Sequence, residues 1–177
     1  LSMAHYLNVS YREGFIKNRY VGRTFIMPNQ GERRSAIRRK LNPIPLEFEG
    51  KNVLLVDDSI VRGNTSRKTV EVARRAGAKN VYFASTSPPL ISPCPYGIDM
   101  ATKKEFIATG RSLDEIATEI GADYLLYLDL ERMIEAARAG NPKMDKFCLG
   151  CFTGEYPTAD AAKHLDAIGA DRAASRD

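Results

Sequence analysis

Two adjacent carboxylates, Asp57 and Asp58, follow the apolar run "NVLLV" at residues 52–56. Neighbouring acids repel each other, and they are tolerated where they bind a cation or the hydroxyl groups of a sugar. Residues 59–66, "SIVRGNTS", then lead from the acids into a helical pattern. A loop that enters a helix in this way points backbone N–H groups and the positive helix end at an anion, most simply a phosphate. The combination predicts a site for a sugar phosphate and Mg²⁺.

Each residue type in this stretch has a part in the predicted chemistry. Asp57 and Asp58 would face Mg²⁺ or ribose hydroxyls, because carboxylates cannot bind a phosphate directly. Gly63 lets the backbone approach the ligand closely, and Thr65 and Ser66 add hydroxyl donors. A lone Asp at a strand end often only caps a helix, and a receiver-type domain also gathers acids around Mg²⁺. The loop of Gly, Thr and Ser directly after the acids favours the phosphate site over both alternatives.

The three cysteines form a second group of candidate ligands. Cys148 and Cys151 have C-x-x-C spacing, and Cys94 lies in a proline-rich stretch. A lone C-x-x-C pair is compatible with zinc, with a redox pair or with chance, whereas a distant third cysteine suggests soft-metal ligation. The odd number and the lack of a visible secretory signal argue against a disulfide framework and for a reducing compartment.

The elements that must position these residues alternate between strand and helix patterns. The continuous apolar run before Asp57 predicts a parallel strand that is covered on both faces. Residues 64–78, "NTSRKTVEVARRAGA", predict a helix that is capped by Thr65 or Ser66 and ended by Gly77. A strand over "NVYFAST" and a loop over "SPPLISPCPYG" come next, since the prolines exclude regular structure there.

Two capping boxes follow the proline-rich loop. Thr102 with Glu105 predicts a short helix, and Ser112 with Glu115 predicts the start of a helix over "LDEIATEIG". The segments "YLLYLD" and "LERMIEAARAG" predict one more strand and one more helix. Upstream, residues 1–30 predict short strands or an ordered loop, and "GERRSAIRRKLNP" predicts a basic helix that stops at the Asn-Pro pair. This order of elements predicts an α/β fold with a parallel sheet.

Length and composition allow one globular domain with a core of its own. The chain has 177 residues, of which 44% are hydrophobic and 27% charged, and no apolar run is long enough to span a membrane. The net charge of +4 is uneven, because residues 1–50 hold nine Lys or Arg against four Asp or Glu. This local excess in a near-neutral chain suggests an anionic ligand more than a nucleic-acid coat. Since no apolar run could span a membrane either, we expect neither nucleic acid nor membrane as a partner. We expect a domain over residues 1–140 and a C-terminal tail over 141–177 that carries the C-x-x-C pair.

The segment "VLLVDDSIVRGNTS" resembles the phosphoribosyl pyrophosphate (PRPP) motif of type I phosphoribosyltransferases. The flanking segments "KNRYVGRTFIMP", "RRKLNPIPLEF", "SPPLISPCPYGIDM" and "CLGCFTGEYPT" are similar to the C-terminal part of the amidophosphoribosyltransferase family, so that the resemblance covers about residues 1–158. It implies the type I phosphoribosyltransferase fold, a mainly parallel sheet flanked by helices with a C-terminal tail. Asn64 departs from the family, which commonly has Thr there, so we expect one hydroxyl fewer at the phosphate.

The resemblance implies an enzyme that displaces pyrophosphate from PRPP with glutamine-derived ammonia and gives 5-phosphoribosylamine, the first step of de novo purine (IMP) biosynthesis. The ammonia would come from a glutaminase domain that we expect outside this chain, together with an early strand and the pyrophosphate-binding loop of the transferase. No protein nucleophile is required, and Asp57 and Asp58 would hold Mg²⁺. The residues implied to bind PRPP are Asp57, Asp58, Ser59, Arg62, Gly63, Asn64, Thr65 and Ser66.

The resemblance also assigns roles to the basic segment and to the cysteines. Lys17, Arg19 and Arg23 would belong to a flexible loop that closes over the substrate, and Lys17 matches a position implicated in feedback by purine nucleotides. Bacterial-type members carry a [4Fe–4S] cluster, whose fourth ligand would lie outside the chain. The other ligands implied for that cluster are Cys94, Cys148 and Cys151. We expect a cytoplasmic homo-oligomer.

Two other functions stay open at this point. A salvage phosphoribosyltransferase, which joins a base to PRPP, would share the acidic motif but would give no reason for the three cysteines. A PRPP-sensing regulator with the same fold would need a DNA-binding element, and no helix-turn-helix or comparable motif is visible in the sequence.

Overall fold

A computed structural model describes residues 1–17, 41–98, 102–161 and 164–165. The helices, in chain order, are α1 (Ser2–Tyr6), α2 (Asn64–Arg75), α3 (Leu113–Ile120), α4 (Leu130–Gly140) and α5 (Gly150–Thr153). The strands are β1 (Phe15–Lys17), β2 (Leu41–Pro43), β3 (Asn52–Asp57), β4 (Asn80–Ser85) and β5 (Tyr124–Tyr127). Short 3₁₀ turns cover Pro45–Glu47 and Lys103–Glu105. None of the helices in these ranges is both long and apolar enough to cross a membrane.

The strands form two separate sheets. β1 and β2 pair antiparallel, and the larger sheet has the order β3-β4-β5. β4 and β5 run parallel, in a register from Tyr82 opposite Tyr124 to Ser85 opposite Tyr127. The N–H of Thr86, just past β4, donates to the carbonyl oxygen of Asp57 at 2.9 Å. The carboxyl ends of β3, β4 and β5 therefore share one edge of a parallel sheet, and the predicted α/β class is confirmed.

The chain divides into two compact units. One is built from the described parts of residues 1–53 and 68–81, where the rings of Phe15 and Phe48 lie 4.9 Å apart. The second is built from the described parts of residues 54–67 and 82–177 and contains the predicted acid site and all three cysteines. The largest of its fully buried side chains are Ile60, Phe83, Phe106, Ile116 and Ile120. The predicted boundary between residues 140 and 141 stays a prediction.

One face of the larger sheet is open in the described part of the chain. Leu54 and Val56 in β3 are 45% and 49% exposed, and Tyr82, Tyr124 and Leu126 are exposed on the neighbouring strands. The prediction that β3 is covered on both faces is therefore wrong for these residues. β3 alternates exposed and half-buried side chains, which is the pattern of a sheet with one covered face.

Several predicted element ends are confirmed. Ser112 caps α3, the capping box with Glu115 is present, and Gly121 ends the helix with a φ of +77°. Gly77 follows the end of α2 with a φ of +95°, and its N–H donates to the carbonyl oxygen of Arg74. The capping box of Thr102 and Glu105 opens a 3₁₀ turn. The helix predicted over "LERMIEAARAG" is α4, with the same bounds. The predicted proline-rich loop is also confirmed, since residues 86–98 contain neither helix nor strand.

Three local predictions are wrong. Thr65 or Ser66 was predicted to cap α2, but the helix begins at Asn64, so both residues lie inside its first turn. The predicted basic helix does not reach the Asn-Pro pair, because Leu41–Pro43 form β2 and proline is tolerated on an edge strand. The rest of that predicted helix, residues 31–40, lies outside the described residues. α1 was not predicted, since residues 1–30 were expected to contain only strands or loop.

Candidate functional site

The acid pair stands at the carboxyl end of β3. Asp57 is the last residue of the strand and is partly buried, whereas Asp58 is exposed. The N–H of Asp58 donates to Oδ1 of Asp57 at 3.0 Å, and the Ser59 hydroxyl donates to Oδ1 of Asp58 at 3.0 Å. Burial raises the pKa of Asp57, the N–H of Asp58 partly offsets this, and the charge of Asp58 raises the pKa again. A cation bound here would relieve both the burial cost and the repulsion.

The chain turns from the acids into α2 through a closely packed corner. The carbonyl oxygen of Val61 accepts the N–H of Ile107 at 2.9 Å. Gly63 is buried with a φ of +73°, and a Cβ atom built on it would overlap with Cδ1 of Ile107. The N–H of Arg67 donates to the carbonyl oxygen of Gly63 at 2.9 Å, which is a first-turn helical hydrogen bond. The first N–H groups of a helix have no carbonyl partner within it, and this arrangement attracts anions.

The side chains of the first turn differ in their exposure. Asn64 and Thr65 are exposed, and Oδ1 of Asn64 accepts a hydrogen bond from Nη2 of Arg67 at 2.9 Å. Ser66 was predicted as a hydroxyl donor to phosphate, but its side chain is only 2% exposed. Of the two predicted hydroxyls, therefore, Thr65 stands at the surface and Ser66 lies inside.

Arg62, predicted to bind PRPP, is paired with a carboxylate from a distant part of the sequence. Its Nε donates to Oε1 of Glu105 at 3.1 Å, and its Nη2 donates to Oε2 at 3.4 Å. The same Oε2 accepts hydrogen bonds from the N–H and the hydroxyl of Thr102, both at 2.8 Å. Glu105 was predicted only as part of a capping box, and no sequence pattern pointed to its partner 43 residues away.

Two residues that were not predicted as site residues lie at the carboxyl ends of β4 and β5. The Thr86 hydroxyl donates to the carbonyl oxygen of Asp58 at 3.4 Å, in addition to its N–H bond to Asp57. The hydroxyl of Tyr127 is buried and finds no hydrogen-bond partner in the part of the chain that the structure describes. Burial raises the pKa of Tyr127 to about 12. The position of Thr86 could have been flagged, since the predicted strand ends there and strand ends in such sheets carry ligands, whereas Tyr127 lies inside the predicted strand.

The three cysteines are neighbours in the second unit. Cys94 is buried, Cys151 is partly buried and Cys148 is exposed, and none of them forms a disulfide. The pKa of Cys151 is raised to about 11, first by burial and then by the charges of Cys94 and Cys148. Across residues 1–17, 41–98, 102–161 and 164–165, no three His, Cys, Asp or Glu side chains are arranged to hold a metal ion. Cys94 and Cys148 therefore lie close enough to Cys151 to raise its pKa, but the three thiols do not form such an arrangement among the described residues.

Backbone and tyrosine contacts join the two cysteine-bearing segments. The carbonyl oxygen of Cys151 accepts the N–H groups of Ile91 and Ser92 at 2.9 and 3.1 Å. The Tyr156 hydroxyl is hydrogen-bonded to Oγ of Ser92 at 2.7 Å and to the carbonyl oxygen of Pro93. The loop that carries Cys94 is thus fixed to the residues around α5.

The predicted nucleotide loop is only partly visible. Lys17 is the last residue of β1. Arg19 and Arg23 lie outside the described residues, so the roles expected of these three basic residues stay predictions.

The chain is similar to proteins named amidophosphoribosyltransferase, although no family model matches it. The protein from Haemophilus influenzae is 54% identical over 173 residues, which are 97% of this chain and 34% of the relative. The protein from Escherichia coli is 56% identical over 160 residues, 90% of this chain and 32% of the relative. The protein from Methanocaldococcus jannaschii is 54% identical over 150 residues, 85% of this chain and 31% of the relative.

A solved structure is similar to this chain in fold as well as in sequence. The glutamine PRPP amidotransferase from B. subtilis, complexed with ADP and GMP, matches with a TM-score of 0.75 and 48% identity over 88% of this chain and 34% of that chain. The chain therefore spans about one third of the length of these relatives. The match confirms the type I phosphoribosyltransferase fold, and the chain is similar over most of its length to one third of an amidophosphoribosyltransferase.

Proposed function

We propose that this chain is the phosphoribosyl-transferring part of an amidophosphoribosyltransferase, acting in the first step of purine biosynthesis. The observation that carries the proposal is the position of Asp57 and Asp58 at the carboxyl end of β3, directly before the corner that leads into α2. Ligands in sheets of this kind bind at that edge. The 48–56% identity with proteins named for this activity favours it over a salvage transferase or a regulator.

In the proposed reaction, ammonia displaces pyrophosphate from C1 of PRPP. The C1–O bond to pyrophosphate breaks with its electron pair, the ammonia nitrogen supplies the pair of the new C1–N bond, and one proton is released. No protein nucleophile takes part. Catalysis then depends on orienting the ribose and on stabilising the charge that develops as the bond breaks.

The proposed roles follow the geometry of the corner. Asp57 and Asp58 accept hydrogen bonds from the ribose hydroxyls or bind Mg²⁺, and the negative pair favours positive charge on the ribose ring. The N-terminal turn of α2, with Thr65 at its surface, holds the 5-phosphate. Two carboxylates suit Mg²⁺, which binds proteins through one or two carboxylates and takes its other ligands from phosphate and water. When bound, Mg²⁺ would neutralise charge on the departing pyrophosphate.

We also propose that Cys94, Cys148 and Cys151 bind a [4Fe–4S] cluster, with a fourth ligand from outside these residues. The mutual effect of the three thiols on the pKa of Cys151 supports this, since cluster ligands must lie near one another. Binding would release the thiol protons and would fix α5 to the proline-rich loop. An iron-free, colourless protein after anaerobic purification would contradict the cluster.

The remaining partners belong to the same proposal. Ammonia comes from a glutaminase domain elsewhere in the longer protein, and purine nucleotides bind as feedback inhibitors, as ADP and GMP are bound in the B. subtilis structure. Lys17, Arg19 and Arg23 contribute to the loop that meets these nucleotides. We further propose a homo-oligomer in the cytoplasm, a reducing compartment that suits thiols outside disulfides.

The proposal is tested by ligand binding and by transfer of the chain into a relative. Isothermal titration of the 177-residue chain with ribose 5-phosphate and Mg²⁺ should show binding that Asp58→Asn weakens and Asp114→Asn, an exposed acid on α3, does not. The chain, placed in the E. coli relative in exchange for its matching third, should support phosphoribosylamine formation from ammonia, and Asp58→Asn should abolish it. A folded chain that binds neither ribose 5-phosphate nor PRPP would contradict the proposal.

A further inference from the structure

Arg62 is the one cation among residues 57–66 and follows the acid pair by only four positions. A guanidinium so close in sequence to two carboxylates is expected to pair with them, because a bidentate carboxylate is its preferred partner. The structure instead pairs Arg62 with Glu105, at 3.1 and 3.4 Å. The side chains of Arg62 and Glu105 are 40% and 21% exposed, so the pair is only partly screened by water.

Glu105 is held from both sides. Its Oε2 accepts the N–H and hydroxyl of Thr102, which fixes the carboxylate at the end of a 3₁₀ turn. Two residues further on, the N–H of Ile107 donates to the carbonyl oxygen of Val61, next to Arg62. The 3₁₀ turn therefore holds the Glu105 carboxylate in a fixed position beside the Arg62 guanidinium. The Arg62 side chain is thus ordered by Glu105 and does not need Asp57 or Asp58 as a partner.

We propose that Glu105 is a positioning residue that holds Arg62 away from Asp57 and Asp58, so that the acid pair stays available to a divalent cation. This inference rests on the proposed function only in requiring that the acid pair binds such a cation. Without Glu105, Arg62 turns to the acids, neutralises them and competes with the metal. In this proposal Glu105 affects the metal site through its ion pair with Arg62.

The test compares Mn²⁺ binding, measured by electron paramagnetic resonance, in the 177-residue chain and its variants. Glu105→Gln keeps the capping box, in which Gln serves as well as Glu, but removes the charge that holds Arg62. We expect it to weaken Mn²⁺ binding about three- to fivefold, the range of a partly exposed ion pair. Arg62→Ala removes the competing cation, so that adding Glu105→Gln to Arg62→Ala should cause no further loss of Mn²⁺ binding.

The comparison of Glu105→Gln with and without Arg62→Ala separates a positioning role of Glu105 from support of the fold. If Glu105 only stabilised the turn, Glu105→Gln would weaken Mn²⁺ binding equally with and without Arg62, and that result would overturn the inference. Glu119→Gln is the matched control, because it breaks the ion pair of Glu119 with Arg67 at 3.3 Å and should leave Mn²⁺ binding unchanged. Unchanged binding in Glu105→Gln would also overturn the inference. A wild-type chain that binds no Mn²⁺ and no ribose 5-phosphate would instead contradict the proposed function.

Discussion

Gly63 and Ile107 are packed so closely that no side chain fits between them. A Cβ atom on Gly63 would overlap with Cδ1 of Ile107 and would lie 3.4 Å from Cγ2 of Ile120, and the φ of Gly63 is +73°. Backbone conformation and packing thus each require glycine at the position that joins the acid pair to α2. The corner that aims the helix N-terminus is therefore fixed by the core beneath it.

Gly63→Ala should destabilise the protein and weaken sugar phosphate binding. We expect a loss of about 2–4 kcal/mol in the free energy of unfolding, from the left-handed backbone and the overpacked contact together. Gly110→Ala isolates the backbone effect, because Gly110 has a φ of +70° with no atom within 4 Å of its Cβ position. It should cost only about 1–2 kcal/mol.

Ile107→Val tests the packing half of this explanation. The substitution removes the Cδ1 methyl that a Cβ on Gly63 would meet. It should recover part of the stability lost in Gly63→Ala, although alone it costs about 0.5–1.5 kcal/mol. Denaturant unfolding of the four proteins gives the coupling, and strictly additive losses would show that the clash is absent.

Asp57→Asn should stabilise the ligand-free fold while it weakens ligand binding. The folded chain raises the pKa of Asp57, so the fold favours the protonated form and the ionised carboxylate reduces stability above that pKa. The gain in Tm should therefore be present at neutral pH and should shrink as the pH falls through the raised pKa, where the wild-type side chain becomes neutral. Binding of ribose 5-phosphate with Mg²⁺ should weaken about 10- to 100-fold, as for one lost charged hydrogen bond. A Tm that falls at neutral pH would contradict the burial cost assigned to Asp57.

The parts of the site that sequence could predict are those with local causes. The acids end an apolar strand, Gly63 precedes a helix, and the boxes at Ser112 and Thr102 depend on residues three positions apart. Each of these follows from backbone geometry within one turn of chain. The type of each of these elements was therefore predicted correctly, even where a boundary moved by a residue or two.

The parts that could not be predicted depend on contacts between distant residues. The pairing of Arg62 with Glu105 could not be foreseen, because the two residues lie 43 positions apart, and the role of Arg62 in PRPP binding stays a prediction. The burial of Ser66 could not be foreseen either, because it depends on what packs against α2, and its role as a donor stays a prediction. Thr86 ends a predicted strand, but its hydrogen bonds to Asp57 and Asp58 depend on the place of β4 beside β3, which no local pattern specifies.

Cys151 should react slowly with alkylating agents in the metal-free chain. Its pKa of about 11 leaves little thiolate at neutral pH, and the thiolate is the reactive form. The rate with iodoacetamide should rise about tenfold per pH unit until it levels near that pKa. Peptide mass mapping resolves each thiol, with the exposed Cys148 as the reference for reagent access. A rate for Cys151 that levels near pH 8 would contradict the effect of burial and of neighbouring thiols.

Tyr127→Phe should increase stability in the ligand-free chain. The Tyr127 hydroxyl is buried without a hydrogen-bond partner among the described residues, and an unsatisfied buried hydroxyl costs about 1–3 kcal/mol. Removing the oxygen should therefore raise the free energy of unfolding by about 1 kcal/mol or more. Tyr124→Phe, three residues earlier on the same strand, is the control, because its side chain is 59% exposed and its hydroxyl meets water.

The same pair of variants shows whether a ligand uses the Tyr127 hydroxyl. Tyr127 ends β5 at the edge where Asp57 ends β3, so a bound sugar phosphate or its water could supply the missing partner. In that case Tyr127→Phe should weaken ribose 5-phosphate binding by about 2- to 13-fold, the effect of one neutral hydrogen bond, while Tyr124→Phe leaves it unchanged. Equal affinities in wild type and Tyr127→Phe, with the stability gain still present, would show that this hydroxyl serves neither the fold nor the ligand.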